Sequence, residues 1–222
     1  MKVRWDSVVS VVLVVCALTV TALAVKRTMF TATSVSPPIS THISRATFDS
    51  VASEATWTGD PNHGHPLVVV EFADLECEFC ALATSRLRSM ERKWKGELVV
   101  AHRYFPLAIH PYAMQAAVAA ECAGQQGRYL KFRAEVFGHQ TAIGLETWWA
   151  FARDAGVPDS ARFAACLDSP GPRKRVHDDL TAATKLGVPA TPTYLLDGRM
   201  IVGVTAVDSI EATLAKIRNG SG

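Results

Sequence analysis

Pro66-Leu67-Val68-Val69-Val70-Glu71-Phe72-Ala73-Asp74-Leu75-Glu76-Cys77-Glu78-Phe79-Cys80 is the stretch that decides the fold. Its first part is a short β-branched run, bounded by a proline and then by Asp74, which is the pattern of a buried strand. The chain passes from it directly into a Cys-x-x-Cys pair. Beyond the pair, Ala83, Leu87, Met90 and Trp94 recur at helical spacing, with Arg86, Arg88, Arg92 and Lys93 left for the solvent face. Residues 97–105 read as a second strand. Strand, helix and strand in this order make a crossover unit, normally parallel and right-handed.

Working outward, residues from about 111 to 186 are mostly helical, with apolar periodicities broken at glycines and prolines. Asp159 is a candidate N-cap for the helix that carries Phe163 and Cys166. Gly187 is placed to close the last helix of this insertion with a left-handed cap. Residues 193–202, with Asp197-Gly198 at the centre, predict an antiparallel hairpin. A final helix is expected from Asp208, with Glu211 completing a capping box and Ile210, Leu214 and Ile217 buried.

The whole chain has 222 residues, 49% hydrophobic and 20% charged, which excludes a disordered or fibrous protein and leaves one globular domain with an appendage. A formal charge of +2 and the lack of a basic run argue against nucleic acid as a partner. Residues 1–27 are expected to be a signal anchor or signal peptide: Lys2 and Arg4 precede the uncharged stretch Val8 to Val25, which Lys26 and Arg27 close. Ala22-Leu23-Ala24 supplies a cleavage pattern. The stretch is nonetheless longer than the apolar core of about 7–15 residues in cleaved signals, so retention in the membrane is expected. Cys16 inside it reads as a small hydrophobe. Residues 28–60, rich in Ser, Thr and Ala, are expected to be a flexible linker, with Trp57 packing on the domain edge. The domain itself would be residues 61–222. His63 and His65 flank a glycine and are expected to be solvated rather than metal-bound.

A Cys-x-x-Cys between a strand and a helix sets its first thiol at the helix N-terminus, where free amides and the dipole favour a thiolate. Cys77 is therefore the expected nucleophile. Cys80 lies one turn on, placed to resolve a mixed disulfide. A structural disulfide or half a zinc site are the alternatives; zinc would need two more ligands, and neither a second Cys-x-x-Cys nor a His-x-x-x-His is present. No metal and no cofactor is expected.

Glu71 to Cys80, the helical insertion, and Gly187-Val188-Pro189-Ala190-Thr191-Pro192-Thr193-Tyr194 together resemble the DsbA-type thiol-disulfide oxidoreductases of the thioredoxin superfamily, over about Pro66 to Ile217. The resemblance implies an α/β, thioredoxin-like fold with an inserted helical domain. It implies that Pro192 is a cis-proline facing the cysteines and that Thr191 offers backbone hydrogen bonds to a substrate chain. A trans proline would be the reading without it. It also implies that Glu71 is buried beneath the pair, with a raised pKa that suits it to relay protons to Cys80; otherwise Glu71 is an exposed strand residue. Cys122 and Cys166, both on the insertion, match positions where some members carry a disulfide. Two buried free thiols are the alternative. Trp148, Trp149 and Phe151 are expected in core packing rather than in a substrate groove.

The expected function is an extracytoplasmic or periplasmic oxidoreductase that exchanges disulfides with exported proteins, most simply oxidising their thiols, served by a membrane redox partner. The pair departs from strong oxidants in having Glu78-Phe79 between its cysteines and acids at Asp74 and Glu76. Negative charge opposes a thiolate, so a weaker oxidant is expected. A disulfide reductase or isomerase is a second reading. A copper chaperone using Cys77, Cys80 and a histidine is a third, from outside enzymology.

Overall fold

The computed structural model describes residues 42–61, 66–196 and 198–220. The apolar segment Val8 to Val25, Cys16, His63, His65 and Asp197 lie outside the described residues. No described helix is long and apolar enough to cross a membrane.

The sheet is built around β2 (Leu67–Ala73), whose last five residues are all buried. It pairs in parallel with β3 (Leu98–Tyr104), the partner supplied by the crossover helix α2 (Glu78–Lys93). On its other side it pairs antiparallel with β4 (Thr193–Leu196), which forms a hairpin with β5 (Arg199–Val202). The short β1 (Thr56–Trp57) adds to the far edge of β3, giving the order β1-β3-β2-β4-β5. Side chains alternate across a strand. Val69 of β2 therefore faces α2 and the C-terminal helix α8 (Ala206–Arg218), with Ala83, Leu87, Met90, Ile210 and Leu214. Val70 and Phe72 face the opposite layer.

That opposite layer includes α1 (Arg45–Ser53), which corrects the expected linker. Ser44 caps α1 through the amide of Thr47, and Phe48, Val51 and Ala52 at helical spacing bury against Val70, Phe72 and Leu195. Arg103, 2% exposed, ties α1 down: it donates to the carbonyl of Val51 at 2.9 Å and lies 2.6 Å from the Asp179 carboxylate. The folded region thus reaches back to His42, since a few apolar residues with a cap outweigh a polar local composition.

Between β3 and β4 run α3 (Ala113–Gly124), α4 (Tyr129–Gly138), a 3-10 turn at Gln140–Ala142, α5 (Trp148–Asp154), α6 (Ser160–Asp168) and α7 (Pro170–Lys185). Their core gathers Phe132, Val136, Phe151, Phe163 and Val176, with Trp148 and Trp149 packed on its edge. Asp159 caps α6 by accepting from the amide of Arg162 at 2.9 Å. Gly187, at φ +71°, follows α7 in the left-handed conformation. The final helix differs from expectation. It starts at Ala206, and Asp208 and Glu211 are engaged with Arg86 and Lys93 of α2 rather than in a capping box.

Candidate active site

β2 ends at Ala73, and the chain turns through Asp74, Leu75 and Glu76 into α2, of which Cys77 is the N-cap. The amide of Cys77 donates to the Asp74 carbonyl at 3.2 Å, and the amides of Cys80 and Ala81 donate to the Cys77 carbonyl. Both cysteines are free and buried, Cys80 fully. Across from them the Thr191-Pro192 peptide bond is cis, and the Cys77 thiol donates to the Thr191 carbonyl at 3.7 Å. The fold therefore brings Cys77, Cys80 and the Thr191-Pro192 step together from opposite ends of the domain.

The two thiols have different acidities. The Cys77 thiol is lowered from 9.0 to about 5, chiefly by the hydrogen bond of Cys80; burial opposes this, and the Thr191 side chain and the amides of Cys80 and Phe79 add to it. Burial pushes the Cys80 thiol well above its usual range, and the bond and charge of Cys77 add. Asp74 accepts from the amides of Glu76 and Leu107 and from Nδ1 of His110, each at 2.8 Å. Glu76 accepts from the amide of Tyr112 at 2.7 Å. Their charges are engaged by the loop that follows β3, and the thiolate is stabilised in their presence.

Glu71 is fully buried on the α2 face of β2. The strand register sets it opposite His102 of β3 and Tyr194 of β4. It accepts from His102 Nδ1 at 2.6 Å, Arg133 at 2.5 Å and Tyr194 Oη at 3.0 Å. Burial raises its pKa, but Arg133, then His102 and Tyr194, outweigh this and hold it at about 2. The raised pKa on which a proton relay would rest is therefore corrected. Glu71 stays a carboxylate, and its partners, His102, Arg133 and Tyr194, were not singled out by the sequence.

Two further residues escaped the sequence reading. Gln140, from the 3-10 turn of the insertion, donates through its one amide nitrogen to the carbonyls of Leu75 and Cys77, both at 3.0 Å. It pins the turn that carries Cys77, and no sequence pattern announces it. His110 is held against Asp74; its only signal is a histidine next to Pro111 in a loop entering a helix. Cys122 and Cys166 form a disulfide across α3 and α6, at a Cα separation of 5.7 Å. Among the described residues no group of three His, Cys, Asp or Glu side chains is placed to hold a metal ion.

Comparison with known proteins bears on the fold that carries these residues. The family model described as thioredoxin matches residues 53–216. The chain belongs to the thioredoxin family. Its fold is that of BdbD from Bacillus subtilis, at a TM-score of 0.66 and 20% identity over 81% of this chain and 97% of that one. The thiol-disulfide exchange protein alpha-DsbA2 from Wolbachia pipientis is similar at a TM-score of 0.65 and 16% identity over 78% and 99%. The thioredoxin-like fold and the resemblance to DsbA-type proteins read from the sequence are thereby met. A Na(+)/H(+) antiporter NhaA from Herminiimonas arsenicoxydans is 35% identical over 155 residues, which is 70% of this chain and 24% of that protein. The chain spans about a quarter of the length of the curated relatives it matches.

Proposed function

We propose that this protein is an extracytoplasmic thiol-disulfide oxidoreductase that oxidises the thiols of exported proteins. The observation that carries the reading is the placement of Cys77 as N-cap of α2, with its thiol on the Thr191 carbonyl at 3.7 Å and Cys80 fully buried one turn on; Cys77 is accordingly lowered to about 5 and Cys80 pushed well up. In the oxidising direction a substrate thiolate attacks Cys77 Sγ. The Cys77–Cys80 bond breaks, and Cys80 takes the electron pair and then a proton. A second substrate thiolate attacks the substrate sulfur of the mixed disulfide, and Cys77 departs as a thiolate. The substrate loses two electrons and the pair gains them. In the second step the leaving thiol is Cys77, whose low pKa speeds departure, and its stabilised thiolate favours the reduced pair, so the acidity of Cys77 suits donation of a disulfide.

The backbone of Thr191, with Pro192 fixing its direction, is the surface on which the substrate chain would lie beside Cys77. Exposed Phe79, which stands between the two cysteines in the sequence, adds apolar surface. Lys2, Arg4 and the apolar stretch from Val8 to Val25 support export, as does the Cys122–Cys166 disulfide, a bond of oxidising compartments. A membrane partner would then restore the Cys77–Cys80 disulfide.

The test is to trap cells with acid, alkylate, and resolve the redox state of Cys77 and Cys80. A mostly oxidised pair is expected; a mostly reduced one would overturn the oxidising direction.

A further inference from the structure

Nothing between the two cysteines supplies a positive charge, since Glu78 and Phe79 stand there. A titratable side chain, His110, reaches the turn that carries Cys77 from the loop between β3 and α3. Asp74 links the two: its carbonyl accepts from the Cys77 amide at 3.2 Å, and its carboxylate accepts from His110 Nδ1 at 2.8 Å. The same carboxylate oxygen takes the amide of Leu107 at 2.8 Å, and Tyr112 donates to Glu76, so the loop grips the turn at three points around His110. One ring nitrogen is committed to Asp74, which fixes the imidazole's orientation, and the side chain keeps 22% of its surface open. A histidine so placed can take up a proton from solvent and retain it on the turn that carries Cys77.

We propose that His110, oriented by Asp74, is a positioning residue that sets a positive charge beside the Cys77 thiolate and thereby favours the dithiol over the disulfide. The proposal rests on the reading of Cys77 as the nucleophile. Among the described residues, the charged groups that act most strongly on His110 are Asp74, Cys77 and Glu76, all on the turn from 74 to 77. Burial works against its protonation, but the hydrogen bond and charge of Asp74, then the charges of Cys77 and Glu76, raise its pKa above 6.5. Between about pH 5, where Cys77 ionises, and the pKa of His110, both groups carry charge and attract. The aspartate supplies the orientation and the histidine the sign, so the local charge at Cys77 is not that of the acids alone.

Because coupling between two titrating groups is reciprocal, it is read on either. The His110 ring is titrated by NMR in the oxidised and the reduced protein, without any substitution. Its pKa is expected to be higher, by roughly half a unit to one unit, when the Cys77 thiolate is present. The Cys77 thiolate is titrated by its ultraviolet absorbance in the unaltered protein and in His110→Gln, which keeps an amide donor for Asp74 without the charge. A rise of similar size in the Cys77 pKa is expected, diminished by salt in both experiments. An identical His110 pKa in the two redox states would overturn the proposal, whatever the variant does to folding. A Cys77 that ionises only in the free-thiol range in the unaltered protein would overturn the reading of Cys77 itself, and the proposal with it.

Discussion

The split between the two thiols makes the stability of the reduced protein depend on pH in a way that the oxidised protein cannot match. Cys77 is lowered from 9.0 to about 5 in the folded state, a gap of about 4 units, or about 5 kcal/mol when the thiolate is fully formed in both states. The group is depressed on folding, so its contribution is complete above about pH 9 and is lost as the pH falls through about 5. At pH 7 roughly half remains, about 3 kcal/mol. Cys80, raised well above its usual range, stays protonated through this window and leaves the slope to Cys77. The assay is urea unfolding of the oxidised and the reduced protein at a series of pH values. Every group that titrates alike in the two forms cancels in the difference, which leaves Cys77 and the smaller coupled shift of His110. The reduced form should gain on the oxidised one by about 1.4 kcal/mol per pH unit between pH 5 and 9. The gain at pH 7 corresponds to about 60 mV of added oxidising power in the disulfide. A difference that stays flat over this range would refute the reasoning.

Glu71→Ala should cost about 3–5 kcal/mol by urea unfolding at pH 7, because Arg133 is left buried without its carboxylate. In the unaltered protein Glu71 contributes above about pH 4.5, and its share, about 3 kcal/mol, should vanish as the pH falls through about 2. Gln140→Leu removes both bonds to the Leu75 and Cys77 carbonyls; stability should fall by about 1–3 kcal/mol, and amide exchange in the turn from 74 to 77 should quicken. Replacing Cys122 and Cys166 together by alanine opens a loop with a sequence separation of 44 and should cost about 4 kcal/mol in calorimetry, with the Cys77 titration unchanged.

What could be read from the sequence was local. The run from Val68 to Phe72, the Cys77–Cys80 spacing and the stripe of Ala83, Leu87 and Met90 each carry their own period, so strand, thiol pair and helix appear in order. Thr191-Pro192 was legible only through family likeness. The partners of Glu71 were not legible, because His102, Arg133 and Tyr194 lie 31, 62 and 123 residues away and are assembled by strand register and the insertion. A carboxylate in an apolar strand says that something must satisfy it, and a cation and a neutral donor shift its pKa in opposite ways from burial alone. The same holds for Asp74 and Glu76, whose charges looked free to oppose Cys77 until the loop of Leu107, His110 and Tyr112 took them up. The helix at Arg45–Ser53 was hidden differently: its cap and the buried set of Phe48, Val51 and Ala52 are present, but a Ser- and Thr-rich neighbourhood obscured so short a period.

In the proposed reaction Cys77 exchanges with substrate and Cys80 resolves. It is tested most directly by incubating Cys80→Ser and Cys77→Ser proteins with a peptide that carries one activated disulfide, then locating the adduct by mass spectrometry. A stable mixed disulfide is expected on Cys77 in the first protein and a far slower reaction in the second, where Cys80 is fully buried. Equal or faster adduct formation on Cys80 would contradict it.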